Sequence, residues 1–400
     1  MKTYKKLLAN MLTPNAVACA MIEASKHKKR RVSVTKCFTD FDNVYQSVVT
    51  KCLDKTYYPE FRYKYKIVDG TRGKTRTIQK PSFNPEQIIH HIIIAPFKKI
   101  LLHGLYEHVY GSLPPQIKKS PFSNKTYTQK YGVHAAAKRL QKWVQINKKV
   151  YVAELDIQKA YDSVNLDILM NKLQKIIKDN DWLNLVSRFI KGKFNKDRGL
   201  TLGHYTSPWF FHFYLKDFDH FVASIKGIKY LRYADNIFLV ATNKRVLRNA
   251  VYNLSRYLYN NLGLLLNRSS MIYRFEYTDR NGDAKGRAIN ALGFVIHNNR
   301  ITIRKSILRG IRRKAIKIYK KGIFCNWYDA SSIFSRLSWL NGTNTFMYYM
   351  KYIRPLVNVS MLKDKICQYT KRIQIFYKNL RRYLYEQLGN SKWLSAGEAN

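Results

Sequence analysis

Two apolar runs in this chain end on an acid, and each could hold a divalent metal ion. In LRYADNIFLVA, residues 231–241, Asp235 and Asn236 stand where the run ending at Ala234 meets the run from Ile237 to Ala241. In VYVAELD, residues 150–156, Asp156 closes a third apolar run. Carboxylates at the ends of neighbouring strands can converge on a shared pair of Mg²⁺ ions about 3.5–4 Å apart, the arrangement that clamps the attacking and leaving oxygens of a phosphoryl transfer. Hard Mg²⁺ takes oxygen ligands and completes its shell with water and substrate phosphate, so neither cysteine nor histidine is required. Taken alone, Asp-Asn suits a tight turn equally well, because both residues tolerate positive φ.

The elements that would position these acids follow from patterning. VYVAELD reads as a strand. Leu166, Leu169, Met170, Leu173, Ile176 and Ile177 recur at helical spacing behind a capping-type Asn165. SPWFFHFYLKDFDHFV reads as one aromatic-rich helix, the 231–241 stretch as a hairpin, and RVLRNAVYNLSRYLYNNLG as a helix stopped by Gly263. That order describes an α+β sheet backed by helices. Upstream, YKIVDGTRGKTRTIQKP reads as a hairpin around a Gly-rich turn, with Lys74 and Arg76 on its second run and Pro81 closing it. PEQIIHHIIIAPFKKILL then reads as a buried helix. The stretch 111–131, with three prolines, reads as a loop. Residues 1 to about 60 read as helical and basic. ALGFVIHNNRITIRKS is hairpin-like, and a basic helical region follows it, with Ile307, Ile311, Ala315 and Ile318 as its apolar stripe.

Composition narrows the partner. Lys and Arg number 72 against 25 Asp and Glu, a formal net charge of +47 on 400 residues that include 30 Tyr and 20 Phe. Cations match phosphates and aromatic faces stack on bases, so nucleic acid is the expected ligand. No long apolar stretch suggests a membrane span. Five scattered cysteines without a C-x-x-C pair support neither a zinc site nor a disulfide framework, and with no signal peptide visible a cytoplasmic setting is expected. His90 and His91 have no partners at ligand spacing and read as packing residues.

DIQKAYDSV, GLTLGHYTSPWFFHFYL, RYADNIFLVA and ALGFVI follow one another as the palm motifs of reverse transcriptases do. GKTRTIQKP resembles the fingers motif of that family, and YGSLPPQ with GVHAAAKRL resembles its next segment. The resemblance covers roughly residues 60–310. Its flavour is bacterial, nearest to defence-associated (antiphage) and diversity-generating retroelement enzymes. It implies an α+β right-hand polymerase fold with fingers, a palm with an antiparallel sheet backed by helices, and a helical basic thumb. The implied parts are a basic helical N-terminal extension over 1–60, fingers over 61–149, a palm over 150–299 that includes part of the fingers between 163 and 198, and a thumb and tail over 300–400. With this chain length, the resemblance implies an enzyme without an RNase H, integrase or endonuclease domain.

Carried onto this sequence, the resemblance implies two Mg²⁺ ions, with Mn²⁺ as a substitute, held by Asp156, Asp235 and the carbonyl of Ile157. Asn236 completes the catalytic set. Tyr161 would be the steric gate against ribose, while Lys74 and Arg76 would hold the incoming triphosphate. Leu202 and Gly203 would face the nucleotide, and Ser207-Pro208 would open the helix that follows. Lys28, Lys29, Arg30 and Arg31, with Arg304, Lys305, Arg309, Arg312, Arg313 and Lys317, would contact RNA or DNA phosphates.

Three positions depart from the family. Asn236 stands where a second Asp is usual, which implies weakened or retuned catalysis. Leu202 replaces a frequent Gln, a change that suggests low fidelity. Arg268 lies near the place of a Lys and cannot act as its proton donor, because guanidinium stays protonated. The expected activity is RNA-directed DNA synthesis from dNTPs on a dedicated structured non-coding RNA, giving a cDNA in antiphage defence, with a partner protein or a second copy as a further associate. The alternatives are a weak or inactive RNA-binding subunit that scaffolds a partner, and template-independent DNA synthesis at the same site.

Overall fold

The computed structural model of the chain describes residues 3–26, 28, 31–59, 63–68, 75–119, 126–145 and 149–371. Four helices open it: α1 (Leu7–Met11), α2 (Pro14–Ser25), α3 (Val32–Thr39) and α4 (Phe41–Leu53). They are stitched to the body by buried polar contacts. The Leu8 amide donates to Asp179 Oδ2 at 3.0 Å. The Arg188 guanidinium donates to the carbonyls of Cys52, Asp54 and Tyr57 at 2.8, 2.5 and 2.8 Å, satisfying orphan carbonyls at the end of α4.

The hairpin of β1 (Tyr63–Val68) and β2 (Thr75–Lys80) follows, antiparallel as its sequence suggests. Next comes α5 (Ile88–His103), a mainly apolar helix buried at its centre. Then come β3 (Val109–Tyr110), β4 (Gln116–Lys119) and β5 (Thr126–Gln129). The last two pair antiparallel, so the expected loop over 111–131 contains a hairpin. Pro114 and Pro115 precede its first strand, where a missing N–H costs no ladder bond, and the β-type runs QIKK and TYTQ outweigh the prolines.

The central unit runs α6 (Val133–Val144), β6 (Tyr151–Asp156), α7 (Leu166–Ile176), α8 (Asn180–Lys191), α9 (Thr206–Tyr214), α10 (Lys216–Ala223), β7 (Lys229–Tyr233), β8 (Asn236–Ala241), α11 (Lys244–Leu262) and β9 (Met271–Arg274). Asn165 caps α7 by accepting from the amides of Asp167 and Ile168, and Gly263 ends α11 in the left-handed region at φ 61°, both as expected from sequence. The expected single helix over 207–222 is two helices that break at Leu215. The sheet order is β3-β7-β8-β6-β9, antiparallel except where β3 joins β7. Strand β8 is buried on both faces after Asn236, which is why it reads as an unbroken apolar run. Behind it, Phe97 of α5 packs within 6 Å of Trp182, Phe210 and Phe213, measured between ring centres.

Beyond the small hairpin of β10 (Tyr277–Thr278) and β11 (Ala284–Lys285), β12 (Ile289–Ala291), β13 (Phe294–Ile296) and β14 (Ile301–Ile303) form a three-stranded sheet. Helices α12 (Lys305–Lys321), α13 (Trp327–Leu337) and α14 (Phe346–Tyr352) close the described chain with a helical stretch over 359–371. They surround a second, smaller core in which Ile311, Ala315 and Ile318 of α12 meet Ile333, Ile353 and Leu362. Among the described residues, no helix is long and apolar enough to cross a membrane.

Candidate active site

The register of the central sheet brings the two acids to the same end of two neighbouring inner strands. Asp156, the last residue of β6, lies opposite Asn236, the first of β8, and Tyr233 of β7 faces Asn236 from the other side. The two-residue turn between β7 and β8 is therefore Ala234-Asp235, one place earlier than the Asp-Asn pair suggests. Its left-handed residue is Ala234, at φ 51°. Turn geometry thus accounts for neither the acid at 235 nor the amide at 236. The Ile157 amide donates to the Asp235 carbonyl at 3.2 Å, so the backbones that carry the two acids are bonded directly.

A left-handed alanine costs on the order of 1 kcal/mol, and the fold holds both of its backbone groups. The Ala234 amide donates to the Tyr110 carbonyl at 3.0 Å, and its carbonyl accepts from Arg232 Nη1 at 2.8 Å. Gly111, at φ 94°, allows this approach: a Cβ there would lie 3.3 Å from the Ala234 nitrogen. Arg232 is fully buried. It makes a two-pronged bond to the equally buried Asp219, with Nε to Oδ1 at 2.7 Å and Nη2 to Oδ2 at 2.6 Å. The Tyr230 hydroxyl adds a third donor to Asp219 at 2.5 Å. Burial opposes the charge on Arg232, but Asp219 and Tyr230 more than offset it and raise its pKa.

His212 sits beside this pair. Burial, with Arg232 close by, pushes its pKa down to about 3, so the ring is neutral. Nε2 lies 2.8 Å from the Gly111 carbonyl and therefore carries the proton, which leaves Nδ1 to face Arg232 Nη1 at 3.4 Å. None of Asp219, His212 and Arg232 was among the expected site residues. A charged arginine inside an otherwise apolar strand run was the available signal, since such a residue is almost never buried unpaired.

Asp156 is held from the opposite side. Its carbonyl accepts from the Asn267 amide at 2.7 Å, its Oδ2 accepts from Asn267 Nδ2 at 3.2 Å, and its own amide donates to Ser270 Oγ at 3.4 Å. Asn236 Nδ2 donates to Asp235 Oδ1 at 3.1 Å. Both acids are half-buried. Among the described residues no group of three or more His, Cys, Asp or Glu gathers to hold a metal. Carboxylate oxygens are the donors that a hydrated, phosphate-binding ion such as Mg²⁺ takes.

Tyr161 lies within reach of this pair. Burial pushes its phenol up to about 12, the Asp235 carboxylate adds to the rise, and Arg232 opposes it. Its ring stacks on Phe211 with centres 4.8 Å apart. Gly203, at φ 100°, meets the β2 backbone: a Cβ there would fall on the Gln79 carbonyl oxygen and 2.6 Å from Ile78 Cγ2. The Gln79 amide also donates to the Leu202 carbonyl at 2.9 Å. The bare glycine therefore admits the β1–β2 hairpin, whereas the sequence suggested approach by a nucleotide. Arg76 lies on β2 opposite Ile67, although its side chain and the whole of Lys74 fall outside the described residues. Ser207 and Pro208 lie in the first turn of α9, where Ser207 Oγ donates to the Thr201 carbonyl at 2.6 Å.

The expected phosphate contacts divide. Lys305, Arg309, Arg312, Arg313 and Lys317 are exposed along α12. Arg313 and Lys317, with Gly310, Lys314 and Arg336, line an open cleft of about 270 Å³. Arg304 is instead bonded to Asn290, through Nε to Oδ1 at 2.6 Å and Nη2 to the carbonyl at 2.5 Å. Lys28 is half-buried and donates to the Ala24 carbonyl and to Gln87 Oε1, while Arg31 is exposed. Lys29 and Arg30 lie outside the described residues.

Residues 97–277 match the family described as reverse transcriptase (RNA-dependent DNA polymerase), a span that holds Asp156, Tyr161, Asp235 and Asn267. No curated protein sequence matches the chain. Among solved structures, apo telomerase of Candida tropicalis truncated from its C-terminal domain is similar at 13% identity and a TM-score of 0.41, covering 66% of this chain and 60% of that one. Telomerase of Candida albicans in complex with a TWJ fragment of telomeric RNA is similar at 12% identity and 0.43, covering 79% of this chain and 59% of that one. The chain spans about three fifths of the length of these telomerases. The sheet with its two acids thus lies within a stretch, residues 97–277, that is similar to the reverse transcriptase domain.

Proposed function

We propose that the protein is an active reverse transcriptase that copies a dedicated structured non-coding RNA into DNA, in bacterial antiphage defence or a related retroelement system. The observation that carries the activity is the pairing of β6 with β8, which sets Asp156 and the turn of Asp235 side by side at one end of these two strands. The setting rests on the likeness of the sequence motifs to defence-associated and diversity-generating retroelement enzymes.

Asp156, Asp235 and the Ile157 carbonyl would hold two Mg²⁺ ions, which when bound supply charge stabilisation at the reacting phosphate and its leaving group. This chain's own residues do the rest. Arg232 and Asp219 hold the turn so that the Asp235 carboxylate faces the site without reorganising. Tyr161, clamped on Phe211, stands as a rigid wall beside Asp235 and excludes a ribose 2′-OH. Lys74 and Arg76 neutralise the triphosphate from the β1–β2 hairpin, which is seated on Leu202 and Gly203. The exposed cations of α12 hold the RNA by its phosphates.

Asn236 favours a second reading, a non-catalytic RNA-binding subunit that scaffolds a partner. Template-independent synthesis shares the same site and differs only in its product. The test uses the purified chain with its copurified RNA, Mg²⁺ and labelled dNTPs. Incorporation that vanishes in Asp156→Ala and in Asp235→Ala is expected, with Tyr161→Ala admitting ribonucleotides. Salt-sensitive RNA binding without incorporation under Mg²⁺ or Mn²⁺ would establish the scaffold instead. A product sequence unrelated to the RNA would establish untemplated synthesis.

A further inference from the structure

Helix α11 packs on β6, β8 and α10 and buries Leu247, Ala250, Leu254, Leu258 and Leu262. Its opposite face is built differently. Arg245, Arg248, Asn249, Tyr252, Arg256 and Tyr259 are all exposed, Tyr252 at 62% and Tyr259 at 65%. At 3.6 residues per turn they fall within one arc about 100° wide, opposite the buried leucines, and form a stripe about 21 Å long. Arg256 lies over the Tyr252 ring with Cζ 5.7 Å from its centre, so cation and phenol are presented together. Helix stability does not explain this face. The helix holds no Asp or Glu, and among the described residues no carboxylate pairs with the three arginines. Arg245 and Arg248 are like charges three residues apart, and they stand near the positive end of the helix dipole; both arrangements cost stability.

We propose that this face of α11 is a docking surface for duplexed RNA, separate from the site of synthesis. The proposal rests on the reading above that the chain carries a structured RNA. Arginines neutralise phosphates, while Tyr and Asn side chains bond sugar and phosphate oxygens, including the 2′-OH that marks RNA. The arc contains no Leu, Ile, Val, Phe or Met, which an apolar protein partner or a bilayer would require. Its six residues offer cations and hydrogen bonds along a line. Strand β8 leads away from Asn236 and α11 returns, so Tyr259 lies toward the end of the sheet that carries the acids and Arg245 toward the far end. The loop after α11 meets the residues following Asp156, where the Gln158 amide donates to the Leu265 carbonyl at 2.8 Å. A helix diameter, about 10 Å, separates the stripe from the sheet. RNA held there runs along the back of the sheet and leaves the place of the nucleotide open.

The test uses the nuclease-treated full chain and two probes: labelled RNA recovered from the wild-type protein, and polyriboadenylate primed with oligo-dT. Arg245→Glu/Arg248→Glu/Arg256→Glu should weaken binding of the recovered RNA at least about tenfold and lower the salt slope of log Kd by about 2–3, as loss of three phosphate contacts requires. The matching Arg→Gln triple variant, which adds no repulsion, should shift both in the same direction. Tyr252→Ala/Tyr259→Ala should weaken binding several-fold without changing the salt slope. Incorporation on primed polyriboadenylate should stay within about twofold of wild type in all three variants. The exposed Lys175, Lys193 and Lys226, changed together to Glu, control for net charge and should cost less than about threefold. Unchanged RNA affinity in both arginine variants, or an equal loss in the lysine control, overturns the proposal. A fall in the polyriboadenylate rate in step with RNA affinity also overturns it, since the stripe would then serve the copied duplex. Loss of a copurifying acidic protein with RNA affinity intact would assign the face to that protein instead. A wild-type chain that binds the recovered RNA but incorporates on neither template would sink the polymerase reading and leave the docking result standing.

Discussion

Replacing Asp219 by alanine should damage the protein more than any substitution at an exposed acid. Asp219 and Arg232 are both fully buried, and Asp219 accepts three donors, two from Arg232 and one from Tyr230. Removing the carboxylate leaves a guanidinium without its counter-charge in a site closed to water. Breaking such a pair from one side typically costs about 3–5 kcal/mol. Against a whole stability of about 5–15 kcal/mol that is a large fraction, and the melting temperature should fall on the order of 5–10 °C. The unpaired guanidinium would also be drawn toward water and away from the Ala234 carbonyl, which lies 2.8 Å from Nη1 in the intact turn. Nucleotide incorporation should therefore fall further than the folded fraction does, with RNA affinity unchanged. Thermal melts and incorporation assays on Asp219→Ala, Arg232→Met and the paired Asp219→Leu/Arg232→Met variant test this. The paired variant should recover most of the stability and little of the activity. A loss below about 1 kcal/mol in Asp219→Ala would refute the claim that this ion pair holds the turn.

Two further outcomes follow from geometry. Gly203→Ala combines a left-handed backbone with a Cβ on the Gln79 carbonyl oxygen, so β2 must move. The KM for dNTPs should rise at least about tenfold with little change in RNA affinity, and an unchanged KM would mean that the hairpin seat is irrelevant to nucleotide binding. Acid should destabilise the fold through its buried histidines. Burial lowers His90 well below its ordinary value, His204 to about 4 and His212 to about 3, so the native protein keeps them neutral while the unfolded chain protonates them near 6.5. Their contribution is fully present above about pH 6.5 and is lost as pH falls toward 3–4, with a slope approaching about 1.4 kcal/mol per pH unit for each histidine. Urea midpoints at pH 7.5, 6.0 and 5.0 should drop steadily, and a flat profile would contradict neutral burial.

Much of this protein was legible in order along the chain. The run before Asp156, the runs around Asp235, the cap at Asn165, the stop at Gly263 and the stripe of α12 are local patterns, written in neighbours two to four residues apart. The register that joins the acids could be guessed, because two apolar runs each ending on an acid can pair in few ways. Other features lay beyond local pattern. Pro114 and Pro115 hid a hairpin whose strands pay attention only to each other, and nothing in the aromatic run over 207–222 announced the break at Leu215. The devices that aim the acids were hidden for a deeper reason. Arg232 finds Asp219 across 13 residues, and Asn267 finds Asp156 across 111. Sequence by itself determined which residues carry negative charge at strand ends and that the chain as a whole seeks a polyanion. Only the tertiary structure decided that Ala234 and not Asn236 takes the left-handed place, that Gly203 makes room for a strand, and that each carboxylate is held by an amide. Such contacts arise when distant segments are buried together, where a polar group must find whatever partner the packing brings to it.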